Sequence, residues 1–596
     1  MQRHTYDLGI IGNCSYIGLI DKLAVIKWLC WPKFDSSFIF GSLLDDKNGG
    51  HFSISCADDQ YETNQYYIKN TNVLCTEFIS NNGSFRVTDF APRFEQHERN
   101  YKPLMLIRKL EPLNGTPNLR ISCKPVGDYG KVEPEVHFGS SHLRYIGLDK
   151  PVRLSTNISL NYIMEEKSFV LNGSKYLILT WGVPLEGPLE TTGEDFLRKT
   201  ISYWQHWVQL CTIENFYQEE VIRSALTLKV HQFEDTGAII ASATTSLPEH
   251  HQSGRNWDYR YCWMRDSFYT LKALNQIGHF EEIGVYSTYI ENLSKAKSDR
   301  YNPVYTLMGD EDFVEEIIPL EGYLGNQPVR IGNQAKEHIQ NDVYGQILVS
   351  LLPIYADERY IYQGRVKSTK LIYNLLESIE KTMDEPDAGL WEFRNKSQKH
   401  CYTFLFHWAG SCAAEKIART IKDDQMLEKA VELKKLATQQ IEKCYNPELK
   451  AYTQAIGTNN MDASLLQLIT MNYLDPRSEK AALHLKKLEE ELKTPEGLFF
   501  RYKHEDDFGA PENTFLVCSF WYVEALACVN RLEEARKTFR TLLGYSNHLG
   551  LLSEDVHAKT GSQWGNFPQT YSHVGVMNAA ARISRKLDLP NFVNGI

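Results

Sequence analysis

The chain has 596 residues and a formal net charge of −11, and without any run of Lys and Arg it offers no basic footprint to nucleic acid. No stretch of about twenty apolar residues occurs that could span a membrane as a helix. The twelve cysteines are scattered without CxxC pairs, and His250 and His251 have no Cys or His partners at zinc spacing, so reduced thiols, no metal and no cofactor are expected.

At this length two domains, or one domain and a very large one, are expected. The opening MQRHTYDLGIIGNCSYIGLI has no basic region leading into a continuous apolar core and a cleavage site, so a cytoplasmic location is expected. Oligomeric state is not legible. From the start to about residue 190 the pattern is short strands and turns: residues 72–80 and 84–90 read as a hairpin across Asn81-Asn82-Gly83, with further strands at 168–171 and 176–181. Residues 1–190 are therefore expected to form an antiparallel β-sandwich.

The period changes near residue 190. Thr191 to Glu194 resembles a capped helix start, and Phe196, Ile201, Trp204 and Trp207 follow at helical spacing, which reads as a linker helix over 191–215. From 216 to 596 about twelve helices are expected, near 217–233, 266–278, 280–297, 337–354, 367–384, 402–421, 423–445, 461–473, 477–493, 514–530, 532–545 and 569–587. Connections after the odd-numbered helices are mostly long and those after the even-numbered ones mostly short. Six helical hairpins in a ring, an all-α (α/α)6 barrel, would bring every long loop to one mouth.

Those loops are chemically rich. The stretch Asn256 to Ser267, NWDYRYCWMRDS, combines Trp257 and Trp263 with Arg260, Arg265, Asp258 and Asp266. Rings beside hydrogen-bonding charges suit a sugar, which has apolar faces and a hydroxyl rim, although a solvated loop with packed rings would read the same way. Glu392 follows Trp391. An indole beside a carboxyl excludes water and suits a general acid, whereas a surface glutamate paired with Arg394 is the plainer alternative. Glu554, with Asp555 beside it, could face Glu392 across the mouth as a general base or could be a helix-terminal charge. Glu321 and Arg330 read equally as site residues or as an ion pair, as Asp342 and Tyr344 read as site or structural residues; Asp310, Glu311, Asp312, Glu315 and Glu316 read as a solvated helix face.

The motifs GNCSYIGLI, WLCWPKFDSSFIFGSLLD, NWDYRYCWMRDS, LEGY…PVRIGN, GLWEFR, RY…PENTF, LLSEDV and WGNFPQTYSHVGVMNAA closely resemble bacterial members of glycoside hydrolase family 15, the glucoamylase-like family, from about residue 7 to about 587. The resemblance implies a β-sandwich, a helical linker and a catalytic (α/α)6 barrel. It implies hydrolysis of terminal α-glucosidic bonds with inversion, with Glu392 as general acid and Glu554 as general base. It also implies that Trp263, Arg265 and Asp266 hold the terminal glucose, that Arg501 contacts the sugar near the cleavage point, and that Tyr323 and Trp391 lie along the substrate. Release of β-D-glucose from maltooligosaccharides is the first expectation and α,α-trehalase the alternative. A second carboxylate at Glu554 argues for hydrolysis over phosphorolysis, which uses bound phosphate in place of a base, and Glu392 argues against a non-catalytic sugar binder.

Overall fold

The computed structural model describes residues 3–296, 300–311, 313–361 and 369–587. Alternation builds the β layers. In the hairpin Leu74–Ser80 and Gly83–Phe90, Phe78 lies opposite Phe85 and Glu77 opposite Arg86. The two phenyl rings stack at 4.8 Å in the core, while Glu77 and Arg86 pair at 2.7 Å on the outer face. Eight antiparallel strands form this sheet, from Glu135–Phe138 through His142–Ile146, Val152–Thr156, Lys175–Trp181, Met105–Gly115 and the hairpin to Tyr61–Tyr67. A second antiparallel sheet of seven strands runs from Leu8–Gly12 through Ile17–Asp21, Ile26–Cys30, His51–Cys56 and Asn118–Lys124 to Phe169–Val170, with Phe38–Phe40 on its third strand. The sandwich core holds one buried ion pair, Arg108 with Asp89 at 2.7 Å, and Arg108 also donates to the Phe52 carbonyl of the other sheet at 2.8 Å. Those added hydrogen bonds compensate the desolvation of the guanidinium.

The helix Leu189–Gln209 follows and buries Trp204, Trp207 and Val208. It begins two residues before the expected start, and Glu194 does not cap it: that carboxylate accepts from Tyr176 and pairs with Lys109 on the sheet. Among the described residues each of the twelve expected helices has a counterpart, with further short turns of helix at Tyr323–Gly325, Gln334–Glu337 and Glu358–Ile361. Met264–Gln276, Val343–Ala356, Cys401–Ile421, the short Ala463–Leu466 and Gln467–Thr470 pair, Leu516–Cys528 and Thr570–Lys586 pack side to side as a closed inner ring. Gln218–Val230, Glu281–Ala296, Thr369–Thr382, Asp424–Lys443, Glu479–Leu492 and Leu532–Leu543 lie outside it. This is the (α/α)6 barrel.

Two segments differ from the sequence reading. The expected helix over 461–473 is a 3-10 turn and one α turn, because Asp462 caps Ser464 at 3.0 Å and Asn472 takes a left-handed φ of 60° that ends the segment. The helix expected from 337 starts at Val343, since the Asn341 amide is held by Asp387 at 2.9 Å instead of joining a helix. Of the expected positions, residues 297, 367 and 368, Asp312, and the chain ends 1–2 and 588–596 lie outside the described residues.

Candidate active site

Every long connection in the barrel leads into an inner helix, so the N-terminal ends of the ring helices face one mouth. Their first-turn N–H groups and aligned peptide dipoles give that mouth partial positive charge, which favours carboxylates and hydroxyl oxygens there. Arg265 and Asp266 occupy the first turn of Met264–Gln276, Phe515 precedes Leu516–Cys528, and Gln569 and Tyr571 flank the start of Thr570–Lys586.

A cavity opens at this mouth, lined by Ala241, Tyr259, Trp263, Arg265, Asp266, Leu390, Trp391, Glu392, Arg501, Phe515, Gln569 and Tyr571. Glu392 adopts a left-handed φ of 60°, a conformation that costs a side-chain-bearing residue energy and that the surrounding loop holds. Its Oε1 accepts from Trp263 Nε1 at 2.8 Å and from Arg265 Nη1 at 3.3 Å. Arg265 is fixed in turn, donating to the Tyr571 hydroxyl at 2.8 Å and to the Leu390 carbonyl at 2.7 Å. The indole hydrogen-bonded to Glu392 is thus Trp263, not its neighbour in sequence; Trp391 Nε1 donates to Asp462 at 3.0 Å while its ring lines the cavity. Arg394 does not pair with Glu392 either, but binds Glu315 at 3.0 Å.

Burial pushes the Asp266 carboxyl up to about 6, against the opposing pull of Arg265. Arg501 Nε and Gln569 Oε1 are buried without a hydrogen-bond partner in the protein, and Asp266 Oδ2 meets Arg265 Nε at 3.4 Å. Convergent polar atoms of this kind on a cavity wall suit the hydroxyls of a ligand.

A second cavity continues from the first and shares Tyr259, Trp391, Glu392 and Arg501 with it. Its other walls include Glu249, Arg255, Trp257, His338, Arg394, Tyr502 and Phe508. Glu392 therefore stands at the junction of two chambers.

Glu554 is 1% exposed and lines neither chamber, but its Oε1 accepts from the Tyr259 hydroxyl at 2.7 Å, one hydrogen bond from the cavity. The Asn566 amide meets its Oε2 at 3.3 Å, and a Cβ on Gly565 would lie 2.6 Å from that oxygen, so only glycine lets the loop cross there. Burial and then the Glu249 carboxylate raise Glu554, and burial followed by Glu554 and Glu249 raises Asp555. Arg501, paired with Glu249 at 2.6 Å, opposes both shifts.

The other expected residues divide by place. Tyr323 lies outside both chambers: its hydroxyl meets His4 Nε2 at 2.9 Å and its ring packs on Tyr6, at the contact between the N-terminal segment and the barrel. Glu321 pairs with Lys47 at the surface rather than with Arg330, and Arg330 joins Glu315 at 3.4 Å. Glu315 is thus an inward partner of two arginines, not part of a solvated helix face. Within NWDYRYCWMRDS, Asp258 and Arg260 form a fully buried pair at 2.7 Å, and Arg260 donates to the Ser36 carbonyl at 2.7 Å and to the Tyr129 hydroxyl at 3.2 Å. That half of the motif joins the sandwich to the barrel; Arg265 and Asp266 face the cavity.

The family model described as "Glycosyl hydrolases family 15" matches residues 215–581, well over half of the chain. The chain belongs to glycoside hydrolase family 15. It is a glycoside hydrolase and acts on carbohydrate. Residues 3–168 match the model "Trehalase-like, N-terminal". Similar proteins include one named "Trehalase" from Thermoplasma acidophilum, 33% identical over 95% of this chain and 98% of that one. Another named "Trehalase", from Mycolicibacterium smegmatis, is 29% identical over 97% of this chain and 91% of that one. A solved bacterial glucoamylase complexed with acarbose superposes with a TM-score of 0.68 at 16% identity, covering 100% of this chain and 97% of that one, and shares the two-part fold.

Four residues of this family 15 site escaped the sequence reading. Tyr259, Gln569 and Tyr571 lie inside the quoted motifs, but local sequence does not distinguish a tyrosine that meets a carboxylate from one that fills a core. Glu249, in SLPEHH, stands in no motif; its partners Arg255 and Trp257 lie further along the same connection, and Arg501 comes from another loop.

Proposed function

We propose that the protein is an α,α-trehalase, hydrolysing the disaccharide with inversion. The observation that carries this is the pair of chambers meeting at Glu392: one sugar ring on each side of the scissile oxygen is what a disaccharide requires. The relatives named trehalase, matched over nearly their whole length, support the same reading. Glucoamylase-type release of glucose from maltooligosaccharides takes second place, since the likeness to a glucoamylase at 16% identity concerns the fold.

In this reading the inner chamber takes the glucose that is cleaved. Trp263 packs its face, and Arg265, Asp266 and Gln569 bind its rim. Glu392 protonates the departing oxygen as the anomeric carbon gains cationic character, and Glu554 takes a proton from the water that attacks the opposite face. Tyr259, which lines both chambers, hydrogen-bonds Glu554 and connects it to the cavity. Arg501 lines both chambers beside the cleaved bond. The residue spans 1–190, 191–215 and 216–596 are proposed as sandwich, linker and catalytic domain.

The test is glucose release from trehalose, maltose, isomaltose and maltooligosaccharides, with and without phosphate. Turnover centred on trehalose is expected, independent of phosphate. Preference for maltooligosaccharides would overturn the trehalase reading.

A further inference from the structure

The wall of the outer chamber contains a turn whose construction is unusual for a surface loop. Residues Asp506 to Gly509 close on themselves through Asp506 N to Gly509 O at 3.3 Å and Gly509 N to Asp506 O at 3.2 Å. Gly509 takes a φ of 87°, which a side chain would oppose. The Phe508 amide adds a bond to Asp506 Oδ1 at 2.8 Å.

Two other loops then pin the turn. Arg255, nearly buried, donates to Asp506 and to the Gly509 carbonyl at 2.7 Å, and the Tyr502 hydroxyl donates to the other Asp506 oxygen. On the opposite side, Asp507 accepts from the Arg394 amide at 2.6 Å and from Asn395 Nδ2 at 2.9 Å. Arg394 lies two residues from Glu392, so the turn is tied to the loop that carries the cleavage point.

What this network holds in place is Phe508, which is 38% exposed. Its ring meets Trp257 edge to face at 5.0 Å, and the guanidinium groups of Arg394 and Arg255 lie 5.2 and 5.6 Å from its centroid. Fixing a half-exposed phenyl ring with charged hydrogen bonds contributes little to a core. It places an apolar ring on the wall of the outer chamber, to whose lining Trp257, Arg394, Asp507 and Phe508 all contribute.

We propose that the Asp506–Gly509 turn, through Phe508, is the specificity element that ends the outer chamber after one sugar ring and restricts the enzyme to disaccharides. This rests on Glu392 being the cleavage point, and not on which α-linkage is cleaved. A longer substrate would have to displace Phe508 and break contacts to both flanking loops, whereas a disaccharide meets its ring as a wall.

Two matched pairs test it: trehalose against 4-O-α-glucosyl-trehalose, and maltose against maltotriose, each compared by kcat/KM and, in the Glu392→Gln protein, by Kd from calorimetry. Wild type is expected to discriminate against the trisaccharide of the pair by at least tenfold. Phe508→Ala, at a half-exposed position that leaves the core intact, and Asp507→Ala, which frees one side of the turn, are each expected to shrink that ratio several-fold, while Phe508→Tyr keeps it. Equal handling of di- and trisaccharide by wild type, or an unchanged ratio in both alanine variants, would overturn the proposal. Turnover of the maltose pair without the trehalose pair would instead overturn the trehalase reading and leave the ratio to judge the barrier.

Discussion

Glu249→Gln is the most informative single change because it removes the charge while keeping the shape of the side chain. The amide keeps one oxygen, which can still accept from Trp257 Nε1 at 3.2 Å and Arg501 Nη1 at 3.4 Å, while its NH2 replaces the oxygen that receives Arg501 Nη2; the main-chain carbonyl still receives Asn513 at 2.6 Å. What disappears is one negative charge beside Glu554 and Asp555, whose carboxyls it raises, while Arg501 is freed to attract them more strongly. A like charge held close to a buried carboxyl shifts it by roughly 1–3 pH units, at about 1.4 kcal/mol per unit. The sign follows from the role. A general base works ionised, so activity falls as pH drops through its pKa, and a carboxyl pushed up by burial and then by Glu249 puts the acid limb of the wild-type kcat/KM profile above the ordinary carboxylate range. In Glu249→Gln that limb is expected to move to lower pH by about one to two units. Tyr259→Phe is the opposite perturbation: it removes a hydrogen bond that stabilises the Glu554 carboxylate, so the limb is expected to move to higher pH. Profiles of kcat/KM against pH, measured with trehalose for the three proteins, read both shifts. An acid limb that stays in place in Glu249→Gln, or that moves upward, would refute the electrostatic assignment.

The remaining predictions concern chemistry and stability. Glu392→Gln and Glu554→Gln are each expected to lower kcat by about 10²- to 10⁴-fold with the circular dichroism spectrum unchanged; near-wild-type turnover in either removes that residue from its role. Inversion on trehalose produces one β-glucose from the attacked ring and one α-glucose from the leaving ring. Early NMR spectra should therefore show equal anomers, and an excess of α would exclude the inverting mechanism. Arg260→Ala leaves Asp258 buried and unpaired at the joint between sandwich and barrel, so a loss of about 3–5 kcal/mol in denaturant unfolding is expected, while a loss below about 1 kcal/mol would contradict the structural reading of that pair.

Much of the architecture was already legible in the chain. Helical and strand periods are local properties, and they located the hairpin at 74–90 and most barrel helices to within a few residues. The alternation of long and short connections carried the ring, because each hairpin places its long loop at the same end. Local patterns failed in two ways: at 461–473, where Asp462 caps a tight turn in place of a full helix, and at 337, where Asp387 holds Asn341 out of a helix from 46 residues away.

The site divides in the same way. Motifs singled out Trp263, Arg265, Asp266, Trp391, Glu392 and Arg501, and the barrel brings these six to one cavity. Which partner each side chain takes was decided by tertiary structure. In a single twelve-residue stretch, Arg260 and Asp258 pair to join the domains while Arg265 turns to Glu392. Tyr323 packs on the N-terminal segment instead of over a chamber, and Glu249, silent in sequence, meets Arg501 from 252 residues away. A charge costs several kcal/mol to bury and must find its counter-charge wherever the fold supplies one. Sequence therefore determined the elements and the kind of chemistry, and the long-range packing of the loops decided which charges hold the protein together and which stand free to meet a sugar.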